Sequence, residues 1–361
     1  MMTSWHRGLR GALALLFAAW LLAQPPAPAL AADATATVTV TDQLNRSVTV
    51  PADVRRIVVL QHQTLDILVE LGAADRIVGV LRSWPSLIPG LDRYAPRLKG
   101  LPTPGDLSMV NVEELLTLKP DVVFVTNYAP AAMIDQISRA GIPVVAISLS
   151  QGEGVEAPKL NPTFADDDVA YAEGLKAGVT LIGRIVGKAD RADELIDYAF
   201  TRRKRVEDRV AGIPAGERIR LYMANPDLNT YGSGKYTGVI MARSGGVNVA
   251  AGVRGATRVS MEDILAWDPQ VIFVQDRYAP VADQIRQGSA WQQVDAVKSG
   301  RIYITPEYVK PWGYPLPEAL ALGELWMAKT LYPDRFADID MQAEADAYYR
   351  RFYGQPYTGP N

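Results

Sequence analysis

Hydrophobic residues recur along this chain in short unbroken blocks: Arg56–Leu60, Ile77–Val80, Val122–Val125, Val144–Ile147, Val271–Val274 and Ile302–Ile304. An apolar block without alternation suits a strand covered on both faces, as in a parallel sheet flanked by helices. Amphipathic stretches with helical spacing lie between the blocks, such as Leu65–Leu71, ended by Gly72, and Ala131–Ala140. Strand and helix patterns that alternate in this way predict α/β architecture with helices on both faces of a parallel sheet. Thr37–Val40 and Val48–Val50 alternate instead and predict a small hairpin ahead of the first sheet. Two helical stretches, Phe164–Val186 and Ala189–Val210, follow the first series of strands. Gly212, Pro214 and Gly216 break the pattern before a second series opens at Arg218–Met223. Helices are predicted again near Leu316–Leu331 and Ile339–Tyr353.

One unit of this pattern occurs twice. VEELLTLKPDVVFVTNYAP, from Val112 to Pro130, returns as MEDILAWDPQVIFVQDRYAP, from Met261 to Pro280, with one extra residue before the final Tyr-Ala-Pro. Nine of the nineteen aligned positions are identical: Glu113/Glu262, Leu116/Leu265, Pro120/Pro269, Val122/Val271, Phe124/Phe273, Val125/Val274, Tyr128/Tyr278, Ala129/Ala279 and Pro130/Pro280. Two copies so far apart point to two similar lobes rather than an array. Asn111 and Ser260 are placed to cap the repeated helix, with Glu114 and Asp263 three residues on as capping-box partners. Each copy leaves its strand at the carboxyl end, through Asn127-Tyr128 or Asp276-Arg277-Tyr278, where open α/β sheets bind ligands.

Composition narrows the chemistry. Arg7 and Arg10, the apolar run Gly11–Ala23 and Ala29-Leu30-Ala31 read as a secretory signal peptide over residues 1–31. Its removal leaves 361 − 31 = 330 residues, and the loss of two arginines moves the formal charge from −3 to −5. The apolar run is too short for a comfortable membrane span. There is no cysteine for a disulfide or a lipid anchor, so a free periplasmic protein is expected. Mild acidity without a long basic cluster argues against nucleic acid as partner. His6 leaves with the signal, and His62 is then the only histidine. A zinc or manganese site built from several histidines is excluded, and a secreted α/β hydrolase is disfavoured because no G-x-S-x-G elbow accompanies His62. YGSGKYTG, from Tyr231 to Gly238, lacks the spacing of a phosphate loop or dinucleotide fingerprint and reads as a glycine-rich turn into a helix.

The order of motifs, "RIVVL", "LDILVELGAADRIVGV", "NVEELLTLKPDVVFV", a helical linker and "VSMEDILAWDPQVIFV", resembles the periplasmic solute-binding proteins of ABC importers for ferric siderophores and cobalamin. The stretch from Lys310 to Gly354 resembles a subgroup described as iron-chelate binding. The resemblance covers nearly the whole mature chain. It implies two Rossmann-like lobes with parallel sheets, joined by one long rigid helix, with a ligand cleft between them and no catalysis or cofactor. The expected organisation is a lobe over residues 32–160, a helical spine over 161–212, and a second lobe with closing helices over 213–361. The expected partners are an ABC permease in the inner membrane and a small-molecule metal chelate, with the protein itself a monomer.

The loops at the strand ends then supply cleft residues. The expected ligand-binding set is His62, Trp84, Asn127, Tyr128, Asn225, Tyr231, Lys235, Arg277, Tyr278, Tyr308 and Trp312, with Lys310 beside them. Aromatic faces with a few donors and cations suit an anionic chelate carrying flat organic groups. No metal is expected to be held by the protein alone, although His62 or a tyrosine fits an open position on a chelated metal. Arg82, Arg258 and Arg277 are placed to clamp carboxylates or an oxyanion. Ferric siderophore is the first expectation. Corrinoid, a nickel or cobalt chelate, molybdate or tungstate, and a periplasmic sensor or adaptor role are the alternatives. Glu113 and Glu262, at matching helix starts, are expected from the resemblance to pair with permease arginines. They also complement the helix dipole.

Overall fold

The computed structural model describes residues 36–152 and 154–360. The signal-peptide reading of residues 1–31 lies outside the described residues. Within Thr37–Asn361, which forms one compact unit, the chain builds two parallel four-stranded sheets and a set of small accessory strands.

The predicted hairpin forms from β1 (Thr37–Thr41) and β2 (Ser47–Pro51). The first sheet uses β3 (Ile57–Leu60), β4 (Ile77–Val80), β7 (Val122–Thr126) and β8 (Val144–Ile147), after the short ribbon β5 (Gly105–Asp106) and β6 (Met109–Val110). The second uses β9 (Arg220–Ala224), β11 (Val247–Asn248), β13 (Val271–Val274) and β14 (Ile302–Ile304), with β10 (Asn229–Tyr231) pairing β12 (Ala256–Arg258) beside it. The spatial orders are β4-β3-β7-β8 and β11-β9-β13-β14, so the two sheets share one topology. Every residue of Val122–Thr126 and Val271–Val274 is buried, as unbroken apolar strands require. In both sheets the order reverses beside the first strand, so the topological switch points lie between β3 and β7 and between β9 and β13.

The repeated helices are Val112–Thr117 and Met261–Trp267. The Asn111 side chain accepts from the Glu114 amide at 3.1 Å. Ser260 and Asp263 form the full reciprocal box, with bonds of 3.0 and 2.8 Å.

The linker is formed by two long helices, Asp167–Ile185 and Ala189–Val210, with Gly187 at φ +62° between them. The left-handed backbone there favours glycine and turns the chain back. The first of the pair touches both lobes. Gly174 accepts from Gln43 at 2.9 Å on one side, and Asp167 accepts from the Gly234 amide at 2.8 Å on the other.

The closing helices differ from expectation. The helix Met341–Phe352 packs back on the first lobe, where Tyr349 and Tyr353 lie 4.8 and 5.2 Å from the Tyr94 ring. The final segment therefore ties the lobes together.

Candidate functional site

The carboxyl ends of the switch-point strands place four chain segments around one cleft. Gln61 and His62 follow β3, Asn127 and Tyr128 follow β7, Asn225 follows β9, and Gln275 to Tyr278 follow β13. The segment after β14 adds Tyr308, Lys310, Trp312 and Tyr314.

His62 opens the helix His62–Glu70 instead of standing in a loop. The free N–H groups of that first turn, and the positive end of its dipole, face the strand's carboxyl end. Its ring is buried 5.5 Å from the Trp312 indole. Burial, and secondarily the charges of Arg277 and Lys310, push its pKa down to about 3, so it is neutral at physiological pH.

Arg277 crosses from the second lobe. Its guanidinium lies 4.9 Å from the Trp312 ring and 5.1 Å from that of Tyr278, and Nη1 points at the Leu87 carbonyl of the first lobe, 3.4 Å away. A relay of side chains orients it. Asn225 Oδ1 accepts from Gln275 Nε2 at 2.7 Å, and Gln275 Oε1 accepts from Arg277 Nε at 2.8 Å. Gln275 is fully buried and was not anticipated. Its signal was available, because the second repeat has glutamine where the first has Thr126.

Several buried polar atoms at this junction have no partner among the described residues: His62 Nδ1, Trp312 Nε1, Tyr308 Oη and Thr305 Oγ1 as possible donors, and Gln63 Oε1 and Asp276 Oδ1 as acceptors. An unpaired polar group in such a setting costs about 1–3 kcal/mol, so a cluster of them marks a place built for a polar ligand.

Other expected residues are engaged differently. Tyr128 stacks on Tyr314 across the cleft at 6.2 Å, and burial raises its pKa above the ordinary tyrosine value. Asn127 spends its amide on the Ala157 carbonyl at 2.6 Å and that of Lys159 at 3.2 Å. The Lys235 ammonium donates to the Leu160 carbonyl, lies 5.0 Å from the Tyr314 ring, and has its pKa pushed down to about 8 by burial. Trp84 is buried in the main hydrophobic core, and the Tyr308 ring meets Tyr357 edge-on at 5.1 Å. Arg82 and Arg258 are exposed. Lys310 is not a free cation. It pairs with Asp66 and Glu318, while Tyr353 donates to Asp66 at 2.8 Å and Tyr348 to Glu70 at 2.6 Å. Burial alone would lower the Lys310 pKa, and these carboxylates outweigh it and raise the value. Glu113 and Glu262 are both exposed in their helices' first turns.

No group of three or more histidine, cysteine, aspartate or glutamate side chains is arranged to hold a metal among the described residues. No helix among them is long and apolar enough to cross a membrane.

Comparison with known proteins follows the same lines. A family model described as periplasmic binding protein matches residues 57–309. The molybdate-binding protein MolA of Haemophilus influenzae is 53% identical over 324 residues, covering 89% of this chain and 92% of its own. The solved structure of MolA bound to molybdate superposes with a TM-score of 0.88 at 52% identity, covering 90% of this chain and all of that one. An uncharacterized ABC transporter substrate-binding lipoprotein of Bacillus subtilis, YvrC, is 29% identical over 90% of this chain and 97% of its own.

Proposed function

The chain belongs to the periplasmic binding protein family, and from that premise we propose that it captures a tetrahedral oxyanion, molybdate or tungstate, and delivers it to an ABC permease. This replaces ferric siderophore as the leading reading. The relative at 53% identity over nine-tenths of the chain is a molybdate binder. The observation that carries the proposal is the cross-lobe cluster of His62, Trp312 and Arg277.

A dianion offers only acceptor oxygens, and burying it is costly unless donors and a cation replace its water. Arg277 supplies a planar fork and a permanent charge, already aimed by Gln275. Trp312 Nε1 is a donor with no partner among the described residues, and a neutral His62 adds one N–H. The first-turn amides of the helix His62–Glu70 add N–H groups and a favourable dipole. Lys310, already neutralised by its carboxylates, contributes position rather than charge. The His62 and Trp312 rings, with centroids 5.5 Å apart, are in direct contact across the junction, a closely packed setting that does not suit a siderophore's disc. His62 of the first lobe and Trp312 of the second meet only when the lobes are together, so a captured ion and lobe closure stabilise each other.

Glu113 and Glu262, one on each lobe, then serve as the acidic contacts that set the docking register on the permease. Titration of intrinsic fluorescence tests the ligand. Molybdate and tungstate are expected to change the Trp312 emission at stoichiometric amounts, whereas a ferric hydroxamate is expected to leave it unchanged. A response to the chelate and none to the oxyanions restores the siderophore reading.

A further inference from the structure

The internal repeat keeps nine identical positions, and the structure explains most of them by packing or chain direction. Val122/Val271, Phe124/Phe273 and Val125/Val274 are wholly buried strand residues. Pro120/Pro269 end a helix. Tyr128/Tyr278 and Ala129/Ala279 lead off the strand, and Pro130/Pro280 open the next helix. Two pairs remain, Glu113/Glu262 and Leu116/Leu265. The leucines are the anomaly. Leu116 is 47% exposed and Leu265 37% exposed, and neither joins a core cluster. Their buried neighbours, Leu115 and Ile264, anchor each helix and yet differ between the copies. Packing therefore tolerates exchange at the anchor, while the exposed leucine is the same twice.

Leu116 stands three residues after Glu113, and Leu265 three after Glu262, so each lobe shows a carboxylate and an apolar side chain on one helix face. Resting on the transport reading above, we infer that Leu116 and Leu265 are a matched pair of docking contacts for the membrane permease. The partner surface has two similar halves, each with a basic residue beside an apolar depression. The acidic first turns, Glu113-Glu114 and Glu262-Asp263, steer toward the basic residues. The leucines are desolvated at contact and hold the complex once formed. The two parts differ in salt response, because exposed charges are screened over about 8 Å at physiological ionic strength and apolar contacts are not.

The test measures docking of the full chain to its cognate permease in nanodiscs, at about 0.15 M and about 0.5 M salt. Molybdate affinity and thermal midpoint are measured in parallel on each variant. The double variant Leu116→Ser with Leu265→Ser is expected to dock about tenfold or more weaker at both salts. Each single variant should lose part of that, with molybdate binding and melting unchanged. Glu113→Gln with Glu262→Gln is expected to weaken docking mainly at low salt. Wild-type docking by the leucine double variant, alongside loss in the glutamate variant, overturns this inference and leaves the transport reading standing. A wild-type chain that binds molybdate but never docks overturns both.

Discussion

Arg277 is the residue on which the proposed site turns, and its neighbours define what a substitution there does. Its guanidinium is held by Gln275 and lies over Trp312, so a lysine in its place keeps the charge but loses the fork and the relay. Arg277→Lys is expected to weaken molybdate binding about tenfold and Arg277→Ala at least a hundredfold, read by fluorescence titration with melting curves unchanged. Trp312→Phe keeps an aromatic ring beside His62 but removes the N–H together with the pyrrole ring that carries it, and a loss of about tenfold or more is expected. Of these residues, His62, Arg277 and Trp312 were expected at the cleft from the sequence, the first by scarcity and the others by position after strands, and the structure brings them together. Gln275 was not, because its role depends on a partner fifty residues away, Asn225, that only folding brings within 2.7 Å.

A second residue-scale consequence concerns pH. Glu324 is fully buried, and burial raises its pKa to about 7 although Arg203 and Arg243 oppose the shift. The folded state therefore holds a proton that the unfolded chain releases near its ordinary value of 4.5. Between those values the native state binds more protons, so stability falls as pH rises, and above the folded pKa the loss is complete. From about pH 5.5 to about pH 8 this group alone removes on the order of 2 kcal/mol. Denaturant melts at the two pH values check it. Glu324→Gln is expected to flatten that part of the slope, and an unchanged slope would place the titration elsewhere.

Among the elements, the repeated helix and strand are the best example of pattern deciding structure. Caps, helix ends and apolar strands appear where local chemistry puts them, and both sheets follow. The linker shows the limit of that reasoning. Periodicity finds both helices, but whether they continue or fold back depends on Gly187 and on close approach. A Cβ on Gly183 would sit 2.5 Å from the Ala192 Cβ, and one on Gly174 only 2.1 Å from the Ser150 backbone. Gly174→Val is therefore expected to cost about 2–3 kcal/mol or more in chemical unfolding, because backbone has no rotamer to yield. A surface substitution on the same helix, such as Lys176→Ala, is expected to cost about 0.5 kcal/mol or less.

At the scale of the whole molecule, the two lobes were visible in the repeat, while the strap that joins them was not. Lys310 with Asp66 and Glu318, closed over by Tyr353, links the segment after β14 to a helix of the first lobe and to the last helix of the chain. No local pattern announces a contact between residues 66 and 310, because its partners are drawn from three distant segments. Its buried carboxylates are matched to hydroxyls and one ammonium, so in the proposed site Arg277 is the charge that meets the oxyanion. The proposed ligand fits that arrangement: one guanidinium and several N–H groups suit a compact oxyanion better than a bulky chelate.

Isothermal titration of the purified full chain with molybdate, beside a ferric hydroxamate siderophore, tests the central claim most directly. The account predicts one molybdate per chain with a dissociation constant below about 1 μM, about −8 kcal/mol or stronger, and no heat from the siderophore. Tight siderophore binding, with molybdate silent up to about 1 mM, would contradict it.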